Sequence, residues 1–203
     1  SFDLGSLQFF VTFGGVLTAR INSISSSQKA RSELNLDLSA GYLPLLQRLG
    51  LDLGSTLVGN VLALDKRTQE FRLTSKADKQ LEWLAGLYID DEKSSNQQAV
   101  ASSWPDGRPG PSLATVAIPA EYRELAAYGD LTWKFANGLA LTGGRRVARN
   151  KQHFVQQSDG LLVAGAQSID ARSSDTSRTW LLTARYALDS RSDIYARAAT
   201  GYR

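Results

Sequence analysis

The chain has 203 residues, 42% hydrophobic and 21% charged, with a net charge of +3, one histidine and no cysteine. That composition excludes a disordered polymer, disulfide or thiolate chemistry, and a zinc centre built from several His or Cys ligands. No apolar run approaches the roughly 18 residues a membrane helix needs, which leaves open the short, half-polar strands of a membrane β-barrel.

In chain order, residues 4–28 read as a hairpin. Leu7, Phe9, Val11 and Phe13 share one face, Gly14-Gly15 supplies a turn tolerant of positive φ, and Leu17, Ala19 and Ile21 line the return strand. Residues 30–67 lack clear periodicity and are expected to form a long loop, with room for a short helix near 45–49. The clearest hairpin covers residues 68–92. There Leu81, Trp83, Ala85, Leu87 and Ile89 alternate with Glu82, Leu84, Gly86, Tyr88 and Asp90, so one strand face is apolar and the other mixed. Residues 93–121 hold four of the five prolines and predict a second long loop. A third hairpin covers 122–154 about Asn137-Gly138, with Ala127, Gly129, Leu131, Trp133 and Phe135 on its apolar face. After a polar stretch at 155–176, a last hairpin at 177–203 places Trp180, Leu182, Ala184, Tyr186 and Leu188 together.

Four short connections therefore alternate with three long ones along about eight strands of about ten residues. Short turns at one end and long loops at the other are the pattern of an all-β, antiparallel, up-and-down transmembrane barrel. Trp83, Trp133 and Tyr186 lie near short turns, while Trp180 and Tyr202 lie toward the opposite ends of their strands, as two interfacial girdles would. Residues 139–203 carry ten Lys/Arg against five Asp, but singly along the strands, so no nucleic-acid partner is expected.

Three segments carry a resemblance. QEFRLTS with LEWLAGLYIDDE, then YGDLTWKFANGLALTGGRR, then IYARAATGYR resemble, in order and spacing, the barrel of TonB-dependent receptors of the Gram-negative outer membrane. The resemblance covers residues 68–203 well and the first hairpin loosely. It implies about eight strands of a 22-stranded barrel, in a receptor that imports a scarce nutrient such as an iron–siderophore complex. Its implied partners are the TonB energy-coupling complex, outer-membrane lipid and lipopolysaccharide. The chain opens without a secretory signal, ends in strand-like sequence and shows no plug domain, so it is expected to be a piece of a longer protein.

On the mixed faces Arg72, Lys134, Arg146, Arg185 and Arg197 are candidates to line the lumen and meet an anionic ligand; the simpler reading is cross-strand ion pairs. Trp104, in the Pro/Gly-rich segment, is a candidate ligand contact at the outer mouth or part of a plain surface loop. Arg145, usually apolar in the family pattern, either projects outward or is shifted by a bulge at Gly143-Gly144. No nucleophile motif accompanies His153 and no phosphate-loop signature follows Gly143-Gly144, so neither an enzyme, a cofactor nor a metal site is expected. Two alternatives stand: a complete eight-stranded outer-membrane barrel with a structural or enzymatic role, and a soluble lipocalin-like binding barrel.

Overall fold

A computed structural model describes residues 2–13, 19–76, 79–163 and 165–201. They form one antiparallel sheet in the order β1-β2-β3-β4-β5-β6-β7-β8. The strands are β1 (Phe2–Phe13), β2 (Ala19–Asp37), β3 (Ser55–Ser75), β4 (Leu81–Ser103), β5 (Ala114–Lys134), β6 (Leu139–Asp159), β7 (Gln167–Ala187) and β8 (Asp193–Ala199). A helix, α1 (Ser39–Arg48), lies between β2 and β3. The turn at Gly14-Gly15, part of the turn at Lys76, and Tyr202 lie outside the described residues.

The hairpins are as the alternation predicts, but most of the expected long loops are strand. β2 to β7 run 19 to 23 residues each, so the segments 30–67, 93–121 and 155–176 shrink to connections at 38–54, 104–113 and 160–166. The reason lies in the outward side chains. On β4 they pass from Ile89 to Asp91, Lys93, Ser95 and Gln97, and on β5 from Leu125 to Arg123 and Glu121. Where both faces of a strand are polar, hydrophobic alternation vanishes although the ladder continues. Pro119 sits within β5, paired with Ser95; having no N–H to donate, it coincides with a break in the β5–β6 ladder at residues 118–119.

Burial shows which way the sheet curves. The most buried strand residues, Thr56 (0%), Ala126 (1%), Ala148 (3%) and Asp90 (4%), all lie on the mixed face, whereas Leu131 and Leu182 on the apolar face are each 58% exposed. The polar face is therefore concave and the apolar face convex, the reverse of a soluble lipocalin-like barrel. β1 pairs with β2 and β8 with β7; among the described residues these two edge strands do not meet, so the sheet is not a closed eight-stranded barrel. At the loop end Leu46, Leu53 and Leu113 pack into a small core that ties α1 to the β4–β5 connection. Leu162 N–H donates to the Leu113 carbonyl at 2.8 Å, bringing in the β6–β7 connection. Two hydrogen bonds from Ser39, side chain and backbone, to the Asp37 carboxylate seat the start of α1 and hold that carboxyl below its usual range.

Candidate functional site: the concave face

The inward side chains of β3 to β6 form one polar lattice, made possible by small residues. Tyr128 on β5 faces Gly86 on β4, where a Cβ would collide with the tyrosine ring. With no side chain in its way, Tyr128 lies across β4 and reaches β3, where its hydroxyl donates to Glu70 and accepts from Arg72 Nε at 3.3 Å. Arg72 also donates to Glu70 at 2.8 Å. On β6, Arg146 donates to Glu124 and stands over the rings of Tyr88 and Tyr128, at 5.4 and 5.9 Å from their centroids. It reaches Tyr88 past Ala126, which is opposite Tyr88 and too short to block the path.

Toward the loop end Lys66 bridges Asp90 at 2.6 Å and Glu92 at 3.2 Å, and the Tyr122 hydroxyl donates to Glu124 at 2.9 Å. Near the turns Lys134 pairs with Glu82, and Arg185 with Asp193 at 3.5 Å. Opposite charges thus alternate across the strands instead of gathering into one cationic patch.

Arg72, Lys134, Arg146, Arg185 and Arg197 all occupy concave-face positions. The lattice unites Arg72 with Arg146 through Tyr128. Lys134 and Arg185 sit in turn-side pairs, and Arg197 lies on the edge strand. Trp104 is not brought to them: it opens the β4–β5 connection, roughly 50 Å along the strand from Tyr88. Sequence reasoning missed Tyr88, Tyr122, Tyr128 and Glu124. The available signal was Gly86 opposite an aromatic residue on the neighbouring strand.

Among the described residues five buried acceptors have no hydrogen-bond partner: Oδ1 of Asn22, Asn60, Asp90 and Asn96, and Oγ1 of Thr56. All belong to inward positions of β2 to β4. Leaving such an acceptor unmet costs about 1–3 kcal/mol, which a water lodged beside it would relieve.

On the convex face Trp83, Trp133, Tyr186 and Trp180 project outward with Phe71, Leu87, Leu131 and Leu182. The apolar run on β3 gives way to Gln69 and Arg67, and on the other strands the band is bounded by a charge, Asp91 on β4, Arg123 on β5, Arg149 on β6 and Arg178 on β7. The band so bounded is about 9–11 residues tall, the span of a membrane-crossing strand. Arg145 stands inside it. Both ladders of β6 run in unbroken register through Gly143 and Gly144, so there is no bulge and Arg145 points outward beside Trp180.

Two solved structures share this architecture. The ferric yersiniabactin uptake receptor FyuA from Yersinia pestis superposes with a TM-score of 0.74 and 20% identity over 97% of this chain. The fold is that of a TonB-dependent receptor barrel. The ferric-catecholate import receptor Fiu from E. coli K12, in an open form, gives a TM-score of 0.61 and 14% identity over 98% of the chain. The chain spans 27% and 35% of the lengths of these two receptors. No protein-family sequence profile matches the chain, and no curated protein sequence does.

Proposed function

We propose that this chain is the barrel portion of an outer-membrane receptor that binds and imports a scarce nutrient, an iron–siderophore complex, with energy relayed by TonB. The observation that carries the reading is the pairing of faces: a convex apolar band of membrane height behind a concave, hydrogen-bonding, charge-alternating wall. A wall of that kind suits a polar body seated in the lumen, either a plug domain or a hydrated ligand. Arg72 and Arg146, with Tyr88 and Tyr128, are the groups best placed to meet it. The outward aromatics would anchor the barrel at the two membrane interfaces.

The test is uptake of labelled ferric siderophores by iron-starved cells that carry or lack the intact gene, each with and without TonB. Gene- and TonB-dependent accumulation of one chelate class supports the proposal. Equal accumulation in all four strains across hydroxamate, catecholate and mixed chelates contradicts it.

A further inference from the structure

The concave wall changes character above the charged lattice. Ala30, Leu64, Ser94, Ala120, Phe154 and Ala171 form one cross-strand row from β2 to β7, on the inward side because Leu64 is two residues from Lys66. From this row to the strand tips the inward positions, within 30–36, 58–64, 94–100, 114–120, 154–158 and 167–171, carry no charged side chain among the described residues. The outward row at the same height is ionisable throughout: Lys29, Asp65, Lys93, Glu121, His153 and Arg172. The upper wall is therefore charged outside and apolar inside, the reverse of the band below it. Leu34, Leu62 and Ile169 are 52%, 47% and 51% exposed on this inner side. Apolar surface so placed gains by leaving water when an apolar body covers it.

A cleft of about 800 Å³ lies in this wall. Leu62 and Leu64 on β3 and Ile118 and Ala120 on β5 line its sides, and Ser94 and Asn96 on β4 are short enough to leave the space between them. The volume falls among those of small-molecule sites, about 300–1,000 Å³, and is too small for a protein domain. Val100, an inward residue of β4, packs against the core of Leu46, Leu53 and Leu113, so the tip that carries α1 rests on the concave side above the cleft.

We propose that this cleft binds the imported chelate, and that the chelate is neutral and lipophilic, with aryl or alkyl groups on its outer surface. An anionic chelate would find no free cation there. Lys66, two residues below Leu64, is held by Asp90 and Glu92, and Arg72 lies roughly 26 Å along β3 from Leu64. A membrane lipid fits no better, because the outer surface at this height is charged and lies beyond the apolar band. The Asn96 amide can hydrogen-bond the chelate's polar edge. The inference deepens the receptor reading and rests on it, leaving the charged lattice to a polar body below the ligand.

The experiment is equilibrium dialysis of the intact protein in lipid nanodiscs, with empty nanodiscs as the blank. The probes are two complexes of radiolabelled iron held in excess chelator, neutral ferric tris(benzohydroxamate) and trianionic ferric tris(catecholate). Wild type is expected to bind the neutral complex at least about tenfold more tightly than the trianion. L62D/L64D puts carboxylates into the cleft and should lower affinity for the neutral complex at least about tenfold. A63D sets the same charge on the outward face between those two positions and should leave affinity unchanged. Heat-modifiable electrophoretic mobility reports folding of each variant; should L62D/L64D not fold, L62N takes its place. Tighter binding of the trianion, no binding of the neutral complex, equal binding by wild type and cleft variant, or an equal loss in A63D overturns the inference. Uptake by cells separates the two claims: gene- and TonB-dependent accumulation of anionic chelates only defeats this one alone, while no such accumulation of any chelate defeats both.

Discussion

Gly86→Ala tests how the concave lattice is assembled. In an ordinary strand this change gains about 0.5 kcal/mol, because alanine loses less conformational freedom on folding than glycine. Here the new Cβ would meet the Tyr128 ring, whose hydroxyl joins Glu70 and Arg72 on the far side of β4. Lifting the ring breaks two charge-assisted hydrogen bonds and one stacking contact with Arg146. Such bonds contribute about 1.5–3 kcal/mol each when shielded. Arg72 is 36% exposed and Glu70 18%, so water recovers part of that loss. The net expected cost is about 1–2 kcal/mol. In a Tyr128→Ala background there is nothing to collide with, and Gly86→Ala should become stabilising by about 0.5 kcal/mol. The coupling, about 2 kcal/mol, is read from a double-mutant cycle of urea unfolding in lipid vesicles, followed by tryptophan fluorescence. The same cost for Gly86→Ala in both backgrounds would refute the bridge across β4.

Arg145→Leu in neutral-lipid vesicles should stabilise the barrel by about 1–2 kcal/mol, since it removes a charge from the upper part of an apolar band; a loss of stability there would mean that Arg145 points inward. Lys66→Met leaves the Asp90 carboxylate, 4% exposed, without its cation and should cost about 1–3 kcal/mol, most of it recovered in a Lys66→Met/Asp90→Asn double variant. Both are measured by the same urea titration, and an unchanged midpoint for Lys66→Met contradicts the pairing. Leu46→Ala, in the small core at the loop end, should cost about 2–3 kcal/mol locally. Hydrogen exchange should quicken in α1 and in residues 104–113 while β4 and β5 keep their protection; uniform quickening would mean that the tip and the sheet unfold together.

The apolar half of the hairpins at 68–92, 122–154 and 177–203 was legible because a strand with one apolar outward face keeps a period of two, as Trp83 to Ile89 and Leu125 to Trp133 do. That pattern stops where the outward face turns from apolar to charged, at Asp91, Arg123 and Arg149. The upper halves of the strands are kept by backbone hydrogen bonds and cross-strand polar pairs such as Lys66–Glu92 and Arg123–Asp91, which leave no hydrophobic period, so the sequence reads there as loop. α1 was half visible, as a leucine cluster near 45–49, but its start depends on Asp37, Ser39 and Thr56, which meet only after β2 and β3 pair. The inward arginines could be placed by parity. Their partners could not, because Tyr128 reaching Glu70 depends on the register of three strands and on a glycine in the middle one.

The assignment of faces is tested most directly by scanning β4 from Leu84 to Val100 with single cysteines carrying spin labels, since these 203 residues contain no cysteine of their own. In the intact protein in vesicles, labels at residues 85, 87 and 89 should collide with dissolved oxygen, and labels at 84, 86, 88 and 90 with a water-soluble nickel chelate. From residue 93 onward every position should meet the chelate. Oxygen contact at 84, 86, 88 and 90 with chelate contact at 85, 87 and 89 would put the apolar face inside the protein and contradict the account.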